Sequence, residues 1–138
     1  MIDKVYIDAN FFVSSKLKDH NFYLKATNKV QELGNSHLYF SLLTLDEIIH
    51  AFTKYKTSKK QIIRTVKRDI VNAKGIFLIN YSTNTNEVDQ YVKLWKSSGL
   101  KPRDALHLYL MKSNGIKKIA TFDGDFIKKQ KDLKIEVI

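Results

Sequence analysis

The sequence predicts an α/β protein with three layers, α/β/α, around a central, mainly parallel sheet of four to five short strands. Short runs rich in β-branched and aromatic residues recur along the chain, and segments of helical periodicity separate them. The 138 residues include one proline and five glycines, and no linker-like or repeated segment divides them. We therefore expect a single domain over residues 1–138.

The predicted strands and helices alternate along the chain. Strands are expected at residues 5–7, 37–41, 76–79, 118–121 and 135–138, and helices at 10–18, 22–33, 45–55, about 58–74, 85–97 and 102–114. Glycines follow several of these helices, and Pro102 falls in the first turn of the last one, where proline is tolerated. The stripe of Val88, Tyr91, Val92 and Trp95 is interpreted as core or subunit contact.

Composition narrows the class of protein. The chain has no cysteine, no apolar run of membrane-spanning length and an acid, Asp3, where a signal peptide has positive charge, so we expect a soluble cytoplasmic protein that does not enter a membrane. The net charge of +10 favours a nucleic acid partner over mere solubility.

The positive charge is concentrated in one segment. Between Lys54 and Lys74 eight lysines and arginines face a single acid, Asp69, and the apolar residues among them have helical spacing. Such a helix has a basic outer face, on which Arg64 and Lys67 are candidates for binding phosphates. An ordinary solvated face is the alternative.

Acidic residues follow the predicted strands at one edge of the sheet. In a parallel sheet, residues after each strand and residues in the first turns of the adjoining helices meet at the carboxyl edge, where ligands bind. Five acids meet this condition: Asp8, Glu47, Asp104, Asp123 and Asp125. Gathered carboxylates repel one another, and Mg²⁺ or Mn²⁺ would neutralise them and assist phosphodiester cleavage.

Each acid also has a purely structural interpretation. Asp8 could cap a helix, and Glu47 could close a capping box with Thr44. Asp104 could interact favourably with the dipole at the start of its helix, and Asp123 with Gly124 could form a tight turn. Asp46 lies beside Glu47, and helical phase only weakly favours Glu47 as the inward acid.

Four segments resemble the PIN-domain family, in order and across nearly the whole chain. They are Val5-Tyr6-Ile7-Asp8-Ala9-Asn10, Ser41-Leu42-Leu43-Thr44-Leu45-Asp46-Glu47-Ile48, Arg103-Asp104-Ala105-Leu106-His107-Leu108 and Thr121-Phe122-Asp123-Gly124-Asp125-Phe126. The resemblance implies a Mg²⁺- or Mn²⁺-dependent endoribonuclease of the small VapC toxin type, which commonly forms homodimers and is inhibited by an antitoxin.

The resemblance also assigns roles to residues. Asp8, Glu47, Asp104 and Asp123 match the metal-binding, catalytic acids, and Asp125 matches an auxiliary one. Asn10 falls where the family often has a small polar residue near the site, and it is a candidate for binding the substrate. Lys101 and Arg103 flank Asp104 and could bind phosphate.

Two other functions are alternatives to the metal-dependent nuclease, and His107 has more than one possible role. A non-catalytic RNA-binding module on the same fold has no need to keep repulsive carboxylates together. A haloacid-dehalogenase-like phosphatase would show a paired D-x-D, which Asp8-Ala9-Asn10 lacks. His107 shares a helix face with Asp104, and a satisfied, partly buried histidine is favoured over one that touches substrate or holds a carboxylate.

Overall fold

Five short strands form one sheet in which every pair is parallel. The computed structural model describes residues 1–79 and 83–138. The strands are β1 (Lys4–Ile7), β2 (His37–Phe40), β3 (Ile76–Leu78), β4 (Lys118–Ala120) and β5 (Glu136–Val137), and their order in the sheet is β3-β2-β1-β4-β5. The predicted α/β architecture with a parallel central sheet is confirmed.

Helices fill the connections between the strands. They are α1 (Ala9–Lys16), α2 (Tyr23–Leu33), α3 (Leu42–Lys54), α4 (Lys59–Val66), α5 (Thr85–Ser98), α6 (Pro102–Ser113) and α7 (Gly124–Leu133). A π-helical segment, Lys67–Val71, continues α4. Among the described residues, no helix combines the length and apolar character needed to cross a membrane.

The central strand β1 is buried on both faces, which separates the core into two parts. Val5 and Ile7 pack with α1 and α3 on one face, whereas Tyr6 packs with α6 and α7 on the other. This alternation follows from the pleat of a strand, which points successive side chains to opposite faces. Both layers of helices are therefore anchored to the strand that Asp8 directly follows.

Three local predictions were wrong. The helix after β2 begins at Leu42 rather than residue 45, because Ser41 caps it by accepting a hydrogen bond from the Thr44 amide at 3.0 Å. Glu47 consequently lies in the second turn, and the capping box with Thr44 does not form. The basic helix is shorter than expected, since regular α-helix ends at Val66 and the π-helical segment ends at Val71.

The third error is α7, where the sequence suggested only a turn. Asp123 caps this helix by accepting a hydrogen bond from the Asp125 amide at 2.8 Å. Phe126 and Leu133 bury its apolar side, and the rest of the helix is mostly polar. An aspartate followed by glycine serves a helix start as well as a turn, so the tight-turn alternative for Asp123 was wrong.

The apolar stripe of α5 lies at the surface. Val88, Val92 and Trp95 are 46%, 46% and 44% exposed, and Tyr91 is half-buried with its hydroxyl donating to the Pro102 carbonyl at 2.8 Å. The interpretation of this stripe as core was wrong for these three exposed residues, whereas Tyr91 packs against the core beside Tyr109. Helical periodicity reports an apolar face but not whether the same chain covers it, and subunit contact stays a prediction.

Candidate active site

The candidate site lies at the carboxyl edge of the sheet, where the chain changes direction. From β1 the chain builds β2 and β3 to one side, and β4 and β5 lie on the other. Such a switch point leaves a crevice outside the strand ends. Asp8 follows β1 and Asp123 lies three residues after the end of β4, so both acids border this crevice.

The innermost side chains form a group that we call the buried group: Asp8, Glu47 and His107. One ligand atom from each lies within 4.8 Å of the others. Asp8 is 6% exposed, and its two oxygens accept hydrogen bonds from the Ala9 amide at 2.8 Å and from the Thr121 hydroxyl at 2.7 Å. The structure therefore uses Asp8 as the helix cap that its sequence allowed, with the same carboxylate bordering the crevice.

Glu47, rather than Asp46, points toward the site. The Nε2 atom of His107 lies 3.1 Å from both carboxylate oxygens of Glu47 and 3.9 Å from Asp8 Oδ1. The Glu47 side chain is 18% exposed, whereas Asp46 lies on the exposed side of α3. Because an ionised carboxylate only accepts hydrogen bonds, Nε2 carries a proton and donates it toward Glu47.

A buried hydroxyl network holds the other side of the His107 ring. The Tyr6 hydroxyl lies 2.6 Å from Nδ1 of His107 and 2.7 Å from the Ser41 hydroxyl. The Thr44 hydroxyl donates a hydrogen bond to the Tyr6 hydroxyl at 3.1 Å. Ser41 also caps α3, the helix that carries Glu47. His107 is thus fixed between the start of α3 and the carboxylate of Glu47.

Burial and charge oppose each other within the buried group. Burial raises the pKa of Asp8, and neighbouring His107 only partly offsets that rise. Burial alone would lower the pKa of His107, but the hydrogen bond to Glu47 and the charges of Asp8 and Glu47 raise it above its ordinary value. The two acids therefore favour the protonated form of His107, against the effect of its burial.

A second group, which we call the half-exposed group, contains Asp104, Asp123 and Asp125. One oxygen from each lies within 4.8 Å of the others, and all three residues have intermediate exposure. Burial, followed by the charges of Asp123 and Asp8, raises the pKa of Asp104 to about 6. The group concentrates negative charge that its own side chains do not neutralise.

Thr121 joins the two groups. Its hydroxyl donates to Asp8 Oδ2 at 2.7 Å and accepts a hydrogen bond from the Asp123 amide at 3.0 Å. The side chain is 1% exposed, so water does not compete for these contacts. A single hydroxyl thereby connects the end of β4 with both sets of acids.

The predicted binding residues divide between the site and the distant basic face. The exposed Asn10 accepts a hydrogen bond from the Phe122 amide at 3.1 Å, and Arg103 Nε lies 3.7 Å from Glu47 Oε1 with 69% of its side chain exposed. Lys101 is exposed at the start of α6. Arg64 and Lys67 are exposed on α4 and the π-helical segment, and neither belongs to the two groups of acids.

The sequence did not predict the hydrogen bonds that hold the acids in place, which we call the support network: those of Tyr6, Ser41, His107 and Thr121. The prediction of a satisfied histidine at position 107 is confirmed, because both ring nitrogens have partners, and the structure also has His107 holding the Glu47 carboxylate, the alternative that the sequence favoured less. Tyr6, Ser41 and Thr121 were not singled out for this purpose. One signal was present: a tyrosine in a buried strand needs a partner for its hydroxyl.

The two groups together offer chemistry that neither offers alone. Carboxylate oxygens are the ligands that Mg²⁺ and Mn²⁺ prefer, and a buried acid held by hydrogen bonds keeps a fixed position. The half-exposed acids remain open to water and to a ligand from outside. Such an arrangement suits binding of a cation at a surface that a phosphate group can reach.

Comparisons with known proteins bear on the family and the fold. The family model described as "PIN domain" matches residues 5–132. No curated protein matches the sequence significantly. Solved structures do match, and the three described below are remote in sequence.

Three structures illustrate the likeness. VapC20 of Mycobacterium tuberculosis, described as a Sarcin-Ricin loop cleaving toxin, is 14% identical with a TM-score of 0.71, covering 90% of this chain and 93% of that one. FitAcB of Neisseria gonorrhoeae is 16% identical with a TM-score of 0.66, covering 97% and 96%. VapBC2 of Rickettsia felis, bound to a DNA fragment from its promoter, is 16% identical with a TM-score of 0.65, covering 98% and 97%.

These structures share the fold of this protein, and the family model covers its chain from β1 to α7, including all four acidic motifs. The protein belongs to the PIN-domain family.

Proposed function

We propose that this protein is a metal-dependent endoribonuclease that hydrolyses RNA phosphodiester bonds, and that it acts as the toxin of a toxin–antitoxin pair. The observation that carries the proposal is the meeting of five carboxylates at the switch point of the sheet in a protein of net charge +10. A strongly basic protein gains nothing in stability from grouping acids that raise one another's pKa. Grouped acids are explained by a cation that they hold.

The residues fit Mg²⁺ or Mn²⁺. The half-exposed group supplies carboxylate oxygens only, and the buried group adds two carboxylates beside one imidazole. We propose Asp8, Glu47, Asp104 and Asp123 as metal-binding, catalytic acids and Asp125 as an auxiliary ligand. When bound, the cation supplies Lewis acidity toward a phosphoryl oxygen and lowers the pKa of a coordinated water.

The side chains of the protein have separable tasks in this proposal. His107 orients Glu47, and Thr121 orients Asp8. Arg103 and Lys101 border the acids and bind phosphate oxygens of the RNA, while Asn10 positions the chain segment that precedes Asp123. The face that carries Arg64 and Lys67 binds the RNA backbone farther from the cut.

Partners are proposed from the structural relatives. The name of VapC20 states that it cleaves the Sarcin-Ricin loop, which supports RNA as the substrate here. The VapBC2 and FitAcB structures support an antitoxin as the protein partner of this chain. We also propose a homodimer, as the family resemblance implies.

The alternative is a non-catalytic RNA-binding module, which the basic face alone would support. The two functions are separated by cleavage of a mixed structured RNA in Mg²⁺, in Mn²⁺ and in EDTA. We expect metal-dependent cleavage by the wild type, and its loss in Asp8→Asn and Asp104→Asn. In a parallel melting experiment, Mg²⁺ or Mn²⁺ should raise the Tm of the wild type, because binding to the native state adds stability. The variant that carries both Asp8→Asn and Asp104→Asn should show no such rise.

The chain offers a matched control. Glu47→Gln and Asp46→Asn remove one charge each from adjacent residues of α3, but only Glu47 points into the site. We expect Glu47→Gln to lose activity and Asp46→Asn to retain it. Equal activity of the two variants, or cleavage that survives EDTA, would contradict the proposed site; RNA binding without cleavage would favour the binding module.

A further inference from the structure

A row of aromatic side chains leads from the acids to the surface. We call it the aromatic ledge: Tyr55, His20, Phe22 and Phe122. The ring centroids are 5.9 Å apart for Tyr55 and His20, 6.0 Å for His20 and Phe22, and 4.7 Å for Phe22 and Phe122. The last two rings are stacked, with an angle of 16° between their planes.

The ledge is anchored at one end and open at the other. Phe122 contacts Phe11 at 5.6 Å between centroids, and Phe11 is 2% exposed in the core. Phe22 and Tyr55 are 42% and 55% exposed. Removing the apolar surface of these rings from water would be favourable. Their exposure beside a candidate active site therefore points to a ligand that covers them.

The loop that presents Phe22 is ordered by its own hydrogen bonds. The His20 amide donates to the Leu17 carbonyl at 2.9 Å, and the Tyr23 amide donates to the His20 carbonyl at 3.0 Å. The Phe22 amide donates to His20 Nδ1 at 3.1 Å. A surface held in position before binding loses less conformational entropy when a ligand arrives.

The ledge directly adjoins the acids along the chain. Phe122 stands between Thr121, whose hydroxyl binds Asp8, and Asp123 of the half-exposed group. Its amide is held by Asn10 at 3.1 Å. Adjacent Cα atoms are only about 3.8 Å apart, so the backbone of Phe122, whose ring stacks with that of Phe22, lies directly beside that of Asp123.

The charge around the ledge favours a polyanion. Lys25 Nζ lies 5.8 Å from the centroid of the Phe122 ring, and exposed Lys54 and Lys56 flank Tyr55 in sequence. Exposed aromatic rings beside lysines are the combination with which proteins bind unpaired bases, because every base has a face that stacks and every linkage has a phosphate.

From these observations we propose that the aromatic ledge is a base-binding site, on which Phe22 stacks an unpaired nucleobase of RNA next to the bond that is cut. This inference rests on the proposed function, since it locates a base relative to the cleaved phosphate. It makes Phe22 a specificity-determining residue. Its occupant is RNA, and a protein partner on the same surface is the competing result of the test.

The test uses short RNA oligonucleotides with 2-aminopurine at each position in turn, mixed with the wild-type protein in EDTA. Stacking on Phe22 should quench the fluorescence at one or two neighbouring positions in an unstructured strand, and not in the same sequence as a perfect duplex. Phe22→Ala should abolish the quenching and weaken binding of the unstructured strand about tenfold. Phe22→Trp should restore both.

The matched control is Leu24→Ala, which truncates an apolar side chain that is 75% exposed two residues farther along, in the first turn of α2. We expect it to bind the unstructured strand as the wild type does. Three results would each overturn the proposal that the ledge binds a base. They are wild-type affinity for RNA in Phe22→Ala, equally weakened binding in Leu24→Ala, and quenching of 2-aminopurine in the duplex. Loss of a protein partner by Phe22→Ala with RNA binding unchanged would overturn it as well.

Failure of the ledge and failure of the nuclease proposal give different results. A wild-type protein that quenches 2-aminopurine but cleaves no RNA would remove the nuclease and keep the ledge as a binding site. A wild-type protein that cleaves RNA, with Phe22→Ala unimpaired in binding and cleavage, would keep the nuclease and remove the ledge.

Discussion

The two groups of acids differ in how the protein neutralises them. In the buried group, Asp8 and Glu47 face the imidazole of His107, and each carboxylate has hydrogen-bond donors within 3.1 Å. In the half-exposed group, Asp104 faces Asp123 and Asp125, and charge repulsion adds to burial in raising its pKa. The fold places a histidine beside the buried acids, whereas the half-exposed group receives a backbone hydrogen bond at Asp123 and, among the described residues, forms no ion pair.

This difference suggests a division of labour within one metal site. Fixed, hydrogen-bonded ligands determine where a cation sits, since donors around a ligand commonly control its orientation. Ligands that repel one another and stay wet supply the driving force for binding, because a cation relieves their repulsion. Removing the donors that hold the buried acids should therefore lower the stability of the metal-free protein, whereas removing a charge from the half-exposed group should raise it.

The largest effect is expected for His107→Leu. The change leaves the Glu47 carboxylate without its histidine donor, and it removes one of the three buried partners of the Tyr6 hydroxyl, which keeps Ser41 and Thr44. We expect the free energy of unfolding in urea to fall by about 3 kcal/mol. Affinity for Mn²⁺, measured by calorimetry, should fall roughly 10- to 100-fold, as for other supporting partners of metal ligands.

Arg103→Leu is the control for this substitution. Arg103 contacts the same carboxylate, but its side chain is 69% exposed and the atoms are 3.7 Å apart. Exposed pairs of this kind contribute between 0 and about 1 kcal/mol, so stability should change little. If the two variants were destabilised equally, burial would not distinguish the two contacts and the division of labour would be wrong.

A smaller loss is expected for Thr121→Val, which removes the hydroxyl that joins the two groups. Valine fills nearly the same volume but neither donates to Asp8 nor accepts from the Asp123 amide. We expect a loss of about 2 kcal/mol in the free energy of unfolding. Thr121→Ser retains the hydroxyl and should recover most of that loss, which urea denaturation of the two variants will compare; equal losses would assign the effect to packing of the methyl group.

Much of the site could be predicted because its acids are placed by local features of the chain. Asp8 ends a buried strand, Asp104 lies in the first turn after a proline, and Asp123 starts a helix after β4. Each position follows from one strand or helix and the direction of the chain. The parallel sheet then brings these ends to one edge.

The support network could not be predicted in this way. Tyr6 and His107 are 101 residues apart and meet only because α6 packs on the face of β1 to which Tyr6 points. The aromatic ledge likewise joins a loop before α2 to a residue after β4. Such contacts depend on how helices pack on the sheet, which periodicity within a single segment does not specify.

The smallest effect concerns Asp104 and has the opposite sign. Its pKa in the folded protein is about 6, above the ordinary value of about 3.9, so the folded state binds the proton more tightly than the unfolded state. The stability that this proton contributes is present below the unfolded pKa and is lost as pH rises through about 6. The shifts of Asp8 and His107 have the same direction.

We therefore expect the metal-free protein to gain stability in urea when the pH is lowered from 7 toward 5. Asp104→Asn should be more stable than the wild type at pH 7, by about 1 kcal/mol or less because the carboxylate is partly hydrated, and its stability should depend less on pH. Saturating Mg²⁺ or Mn²⁺ should flatten the profile of the wild type, since a bound cation replaces the proton. A profile that Asp104→Asn leaves unchanged would show that the half-exposed group is not under repulsion, and with it the contrast between the two groups would disappear.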